Sequence, residues 1–278
     1  DISDQYEYRK NESIIQTGAT ARSPVRKTLQ QRLDDEVYVS NFGAINDVSV
    51  IQTAALQRAI DNLFLNTKTT PENRRIIKLA PGLYKIDSSL KIPPYTTLVG
   101  SGKDKTIIEQ TANSPIFVTV NGSSTVGNYD ETSGLSASNQ AKYISISGMT
   151  LRYENAVSNI YNTAIDLQSV EDGHFFDLKL KGYWDGDGIQ SNSIGINIKS
   201  FSGAVRSKRN LFENIDIEGF AYGVNSSFDI EDNTFRDITF STLLNGVRLG
   251  NNMPVVDYTD AADLADKLGD GVAYGPNN

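Results

Sequence analysis

The chain has 278 residues, no Cys, one His and a formal net charge of −8. Zero Cys excludes a disulfide framework, a zinc-thiolate site and a cysteine nucleophile, and the lone imidazole of His174 leaves no histidine pair for a metal. Acids outnumber bases 34 to 26, which argues against a phosphate-backbone partner, so no nucleic acid is expected. No apolar run approaches a membrane span, so no membrane insertion is expected either. Because the chain opens on Asp1, a processed product or an excised fragment is the expectation.

Residues 1–35 carry few large apolar side chains and no sustained alternation, so they bury too little surface to fold alone. Leu29 and Leu33 would share one face of a short helix. The segment reads either as a disordered leader or as an extended arm for docking or oligomerisation, set apart from a domain over 36–278.

From Val37 the composition changes. A short β-branched run at Val37-Tyr38-Val39 precedes Phe42-Gly43-Ala44, and Ser49 is placed to cap a helix whose face holds Ile51, Ala55, Leu56, Ala59, Ile60 and Leu63. Short strands with turn chemistry every few residues follow at Ile76-Ile77-Lys78-Leu79, Tyr84-Lys85-Ile86, Leu90-Lys91-Ile92, Thr97-Leu98-Val99 and Thr106-Ile107-Ile108.

The second half repeats. Ile146-x-Gly148-Met149-x-Leu151, Phe175-x-Asp177-Leu178-x-Leu180, Phe212-x-Asn214-Ile215-x-Ile217 and Phe235-x-Asp237-Ile238-x-Phe240 share one pattern. Each is followed by a companion: Ala164-Ile165-x-Leu167, Gly188-Ile189-x-Ser191, Gly223-Val224-x-Ser226 and Gly246-Val247-x-Leu249. Companion spacings of 24, 35 and 23 residues suggest a fixed period with one insertion before Val224. A period this short admits one coil of short strands rather than a βαβ unit, with inward residues stacking roughly 4.8 Å apart along the axis. The reading is an all-β, single-stranded parallel β-helix with an N-terminal capping α-helix. Phe175, Phe212 and Phe235 would form an aromatic stack, and Asp177, Asn214 and Asp237 would sit at turns. A β-sandwich, the competitor, predicts alternation without an equal-period ladder.

The order Asn41-Phe42-Gly43-Ala44, Thr53-Ala54-Ala55-Leu56-Gln57-Arg58-Ala59-Ile60, Leu79-Ala80-Pro81-Gly82-Leu83-Tyr84, Leu90-Lys91-Ile92-Pro93 and Thr97-Leu98-Val99-Gly100-Ser101-Gly102 resembles the start of the pectate-lyase-like right-handed β-helix of bacteriophage tailspikes. The preceding Leu29-Gln30-Gln31-Arg32-Leu33-Asp34-Asp35-Glu36 looks like the linker of such proteins, and the resemblance covers about residues 29–252. It departs at Asn46-Asp47-Val48-Ser49, which is shorter than the family's Asp-Gly-rich turn. The resemblance implies a tail appendage (tail fibre or tailspike-like) protein of the virion: a homotrimer, attached through 1–35 to other tail or baseplate proteins and recognising host surface polysaccharide. The alternatives are an active polysaccharide depolymerase of the same fold, hydrolase or lyase, and a secreted, extracellular bacterial lyase or hydrolase. No cofactor is implied. A loose recurrence of Asn245-Gly246-Val247 at Asp270-Gly271-Val272, with a short helix between, leads to the expectation that the β-helix continues beyond 278.

Glycan cleavage would need paired carboxylates or a base beside a Ca²⁺ site. Asp216 and Glu218 alternate around the inward Ile217, which puts both outside, roughly 6.5–7 Å apart and within the inverting-glycosidase range. The competing role is structural, with Lys179 facing Asp216 and Lys181 facing Glu218 across adjacent coils. Tyr183-Trp184-Asp185-Gly186-Asp187-Gly188 is the substrate-binding candidate, where Trp184, Asp185 and Asp187 combine an aromatic face with hydrogen-bonding acids. A solvated turn with Trp184 over the core edge is its bland counterpart. Two carboxylates are too few for Ca²⁺, so no metal site is assigned. Arg206, Lys208 and Arg209 read as a solvated insertion, His174 as a turn residue, and the tyrosines as forming no aligned ladder. Gly100-Ser101-Gly102 lacks the third glycine and the strand-to-helix setting of a phosphate loop.

Overall fold

The computed structural model describes residues 5–7, 26–28, 37–45, 47–65, 76–154, 163–183, 193–226 and 230–249. The chain divides into two compact units, 1–37 and 38–278. Within the first, β1 (Gln5–Glu7) pairs antiparallel with β2 (Arg26–Thr28), Tyr6 opposite Lys27. Leu29, Leu33 and the recurrence over 250–278 lie outside the described residues.

Among the described residues of the second unit the strands of the coils pair in parallel, and they lie on three faces. After β3 (Val37–Tyr38) and α1 (Thr53–Leu65), the first coil is β4 (Ile76–Lys78), β5 (Gly82–Ile86) and β6 (Leu90–Ile92). The second is β7 (Thr97–Val99), β8 (Thr106–Gln110) and β9 (Phe117–Thr119). In the third and fourth, β10 (Ser145–Tyr153) and β12 (His174–Lys181) each cover faces 1 and 2, while β11 (Thr163–Gln168) and β13 (Ile194–Lys199) form face 3. In the last two, β14 (Leu211–Ser226) and β15 (Thr234–Leu249) run through all three faces.

Inward residues stack by identity of position. Face 1 buries the column Ile77, Leu98, Ile146, Phe175 and Phe212, which Phe235 continues. Its rings lie 5.2 and 4.8 Å apart and nearly parallel, the aromatic stack expected from the repeat. Face 2 stacks Tyr84, Ile108, Leu151, Leu180, Ile217 and Phe240, and face 3 stacks Leu90, Phe117, Ile165, Ile196, Val224 and Val247. Each fully buried Leu, Ile or Phe contributes roughly 1.5–3 kcal/mol, so these columns dominate the stability of the solenoid.

Corners repeat as strictly as faces. Between faces 1 and 2 the chain turns through one left-handed residue per coil: Gly148, Asp177, Asn214 and Asp237, with φ of 51–68°. Asx residues tolerate this conformation. Between faces 2 and 3, Gly182 and Gly219 lie so close that a Cβ on Gly182 would sit 2.1 Å from the Gly219 carbonyl oxygen. Behind the third corner, buried Asn210 donates to the Val170 carbonyl and the Asn233 side chain and accepts from the Gly173 N–H, stitching successive coils.

The first coil is capped. On α1, Ala55, Leu56, Ala59 and Ile60 are buried, and Gln57 both donates to the Lys91 carbonyl (3.1 Å) and accepts from the Lys91 N–H (2.8 Å). Thr53 and Asp87 likewise bond each other twice. The helix thereby occupies a strand edge that would otherwise offer unpaired backbone groups. It begins at Thr53 rather than at Ser49: Gln52 accepts the first helical bond from the Leu56 N–H, Ile51 pairs with Lys85, and Ser49 bonds Asp47 instead.

Register also corrects the second companion segment. Ile165 and Val224 both pair with Ile196, so Gly195-Ile196-x-Ile198 is the stacked unit, not Gly188-Ile189-x-Ser191, which lies outside the described residues. Arg206, Lys208 and Arg209 are not a solvated insertion. Lys208 pairs with Glu171 and Glu231 at the third corner, and His174 is the first residue of β12, stacked on Phe176 at 4.3 Å.

Candidate functional site

The outer surface of face 2 carries two rows fixed by strand register. One is Lys85, Glu109, Arg152, Lys181, Glu218 and Ser241; the other is Leu83, Ile107, Thr150, Lys179, Asp216 and Thr239. Alternation along each strand places these side chains outward because their neighbours fill the columns described above.

Asp216 and Glu218 occupy the fifth coil, opposite Lys179 and Lys181 in the expected register. Their ion pairs are distributed differently. Glu218 Oε1 meets Lys181 Nζ at 3.1 Å and Lys179 Nζ at 3.9 Å, whereas Asp216 Oδ2 meets Lys103 Nζ at 3.0 Å. Lys103 comes from the corner between β7 and β8 and also donates to Asn214 Oδ1 at 3.0 Å. A contact across 113 residues has no signal in the repeat. Both carboxylates therefore face ammonium groups, Asp216 at 42% and Glu218 at 31% side-chain exposure.

Nearer the capped end, Glu109 takes Arg152 Nε at 2.6 Å and Lys85 at 3.5 Å, and Lys85 also reaches Glu154 at 2.9 Å. The hydrogen bond that Lys85 donates to Glu154, together with the charges of Glu109 and Glu154, outweighs the effect of burial and holds the Lys85 ammonium above its ordinary pKa. In the middle of the face Arg152 and Lys181 are direct neighbours of like charge.

A second charged column runs along the third corner, where Lys142, Glu171, Lys208 and Glu231 pair in sequence. Glu171 is 12% exposed and is met by Lys142 (3.2 Å), Lys208 (3.4 Å) and Arg209. Burial pushes its carboxyl up, but hydrogen bonds from Arg209 and Lys142 and the charges of Lys142 and Lys208 outweigh that and hold it below the usual range. One residue on, Tyr95, Tyr143, Asp172, Arg209 and Asp232 form a left-handed column in which the Tyr95 and Tyr143 rings stack at 5.4 Å. The tyrosines thus do form a ladder step. A third polar row, on face 3, links Asp166, Asn197 and Asn225 by bonds of 3.0 and 2.8 Å, with Lys199 on Asp166.

Trp184, Asp185 and Asp187 lie outside the described residues. Among the described residues no group of three or more His, Asp or Glu is arranged for a metal, and no helix is long and apolar enough to cross a membrane.

The chain is 28% identical over 106 residues to the putative phage-related protein YobO of Bacillus subtilis strain 168, covering 38% of this chain and 13% of that protein. Solved structures that align with it include ORF18 of Geobacillus virus E2 (17% identity, 80% of this chain and 46% of that one, TM-score 0.44). Tailspike protein 3 of bacteriophage CBA120 aligns at 15% identity, over 84% of this chain and 37% of that one, with a TM-score of 0.45. The A-module of mannuronan C-5 epimerase AlgE6 from Azotobacter vinelandii aligns at 17% identity, over 76% and 58% of the two chains, with a TM-score of 0.43. The chain spans about an eighth of the curated relative and less than two thirds of each solved chain. A family model described as rhamnogalacturonase A/epimerase, pectate lyase-like, matches residues 37–262, and the chain belongs to that family.

Proposed function

We propose that this chain is the glycan-recognising β-helix of a phage tail appendage, a homotrimer joined through residues 1–35 to other tail or baseplate proteins and directed at host surface polysaccharide. The family match over 37–262 carries the polysaccharide part of this reading, because the family's description names carbohydrate-active proteins. The phage-related relative supports the virion part. The outer rows of face 2 supply the chemistry, an array of cations and carboxylates whose positions are set by strand register, as hydroxyl-rich ligands require. Trp184, Asp185 and Asp187, in the segment after β12, are assigned to the same binding function.

Native gels cast with a panel of purified capsular and O-antigen polysaccharides test the central claim. At least one polysaccharide is expected to retard the full chain; mobility unchanged by every member would sink the glycan reading. Light scattering tests the assembly, a trimer being expected and a monomer with the arm intact counting against the virion reading.

A second reading, glycan cleavage, is favoured by one observation: Asp216 and Glu218 project from alternate positions of one strand, roughly 6.5–7 Å apart. Assays of reducing ends released by Asp216→Asn and Glu218→Gln separate the two roles. Loss of release with the melting temperature intact assigns catalysis. Unchanged release with a lower melting temperature assigns the pair to the charge ladder.

A further inference from the structure

The third corner is crossed at very different lengths. Residues 93–96 suffice between β6 and β7, and residues 169–173 between β11 and β12, but residues 120–144 intervene between β9 and β10. A connection that long, built only of turns and single bridges, is uncommon in a packed domain and usually serves a function. This one is ordered by its own polar groups. Asn121 N–H donates to the Asp130 carbonyl at 2.8 Å, Gly122 N–H to the Asn139 carbonyl at 2.6 Å, and Asn139 Nδ2 to Ser123 Oγ at 2.8 Å. It is also tied to the capped end: Tyr129 Oη lies 2.9 and 2.8 Å from the two oxygens of Asp61, a buried residue of α1, and Lys91 Nζ donates to Glu131 at 2.7 Å.

A cleft of about 650 Å³ lies where this loop meets the start of α1 and the corner between faces 2 and 3, a size typical of pockets that enclose small ligands. The helix contributes Thr53, Ala54 and Gln57, the corner of the first coil Asp87 and Ser88, and the loop Tyr129. The polar groups are fixed in place. Thr53 and Asp87 exchange bonds of 2.7 and 2.9 Å, and Gln57 is bonded twice to Lys91 and once to Asp61, at 3.0 Å. A pocket whose groups are already oriented binds with little ordering cost.

Charge narrows the ligand. Lys91 is the one cation among the described residues that line the cleft, and Glu131 takes its ammonium. With Asp87 in the lining and Asp61 bonded to Tyr129, the local balance is negative, so phosphate, sulfate and uronate groups meet repulsion. The carboxylates are in turn engaged by Thr53, Tyr129, Gln57 and Lys91, which weakens their pull on a cationic ligand. An aromatic ring beside hydroxyl and amide groups, Ser114 of the second coil among them, is the set that packs on a pyranose and exchanges hydrogen bonds with its hydroxyls. We propose that this cleft is a binding site for an uncharged sugar unit. The assignment rests on the glycan-recognising reading above for its class of ligand, and it adds a contact at the capped end of the β-helix.

The test applies saturation-transfer NMR to the full chain, with glucose, galactose and N-acetylglucosamine as neutral probes and galacturonate as the charged one, beside the polysaccharide gels. At least one neutral probe should take up saturation from the wild type, and galacturonate none. Ala54 is exposed and lines the cleft, so Ala54→Trp fills that space without removing a side-chain bond; the signal should vanish at an unchanged melting temperature. Ser88→Trp blocks the same space from the first coil and should act alike, while Ala54→Ser, which adds little bulk, should bind like the wild type. A neutral-probe signal that survives both Trp variants overturns the cleft and leaves the glycan reading standing, as does the lack of any neutral-probe signal from a wild type that polysaccharides still retard. Galacturonate taken up as well as the neutral probes overturns the assignment to uncharged sugars. A wild type retarded by no polysaccharide overturns the glycan reading, and the cleft with it.

Discussion

At the residue scale, Glu171 concentrates more charge than any carboxylate of face 2. It is nearly buried and takes Lys142, Lys208 and Arg209 at once, so its ionised form is stabilised by the fold, while its protonated form loses the ion pairs to Lys142 and Lys208 and leaves Arg209 with Asp172 alone. Its carboxyl is held below the ordinary value of 4.5, so it favours folding above that pH and the contribution is lost as pH falls through the lower folded value. Glu171→Gln should destabilise the chain by about 1–3 kcal/mol near neutrality, since a hydrogen-bonded charge is removed from beneath its partners. Acid titration of the melting temperature checks the sign: the wild type should lose its advantage over Glu171→Gln below about pH 4.5. A constant difference between pH 7 and 3 would remove Glu171 from the acid response.

At the element scale, the repeat was readable wherever one residue satisfied two demands of equal period. Phe175, Phe212 and Phe235 announce the inner column, and Asp177, Asn214 and Asp237, two residues on, announce a left-handed corner, so each pattern corroborates the other. Face 3 was misread because constant spacing fails there. Chain enters the corner between faces 2 and 3 of the third and fourth coils, so Ile165 and Ile196 are 31 positions apart while Val224 and Val247 are 23 apart. The Tyr95–Tyr143 step had no legible signal, because tyrosine does not advertise a positive φ as Asx and Gly do. Lys103 on Asp216 was equally hidden, being a choice among loop conformations rather than a feature of the period. The aromatic column yields a graded expectation. Phe212 is fully buried between Phe175 and Phe235, whereas Phe235 is 36% exposed. Phe212→Ala should cost about 3–5 kcal/mol and Phe235→Ala clearly less, which denaturant unfolding of the two variants can rank. Equal losses would show that the stack behaves as one block and that position within it is irrelevant.

At the scale of the whole molecule, a solenoid is quasi-one-dimensional: each coil touches only its neighbours, so local stability follows what covers each coil rather than distance from a common centre. The two ends of the described β-helix differ in this respect. At one, α1 lays Ala55, Leu56, Ala59 and Ile60 over the first coil and Gln57 completes the hydrogen bonding of Lys91. At the other, the inward residues of β15 are open, with Phe240 at 37%, Val247 at 38% and Leu249 at 62% exposure. Amide hydrogen exchange should therefore be slowest through β12 and β14 and fastest in β15, with β6 well protected despite belonging to the first coil. Gln57→Ala removes both bonds to Lys91 and should accelerate exchange in β6 while leaving β12 unchanged, because coupling passes only from coil to coil and weakens at each step. Were β12 to exchange faster in step with β6, the domain would open as one cooperative unit, and the charge rows of face 2 would then stabilise every coil together instead of coil by coil.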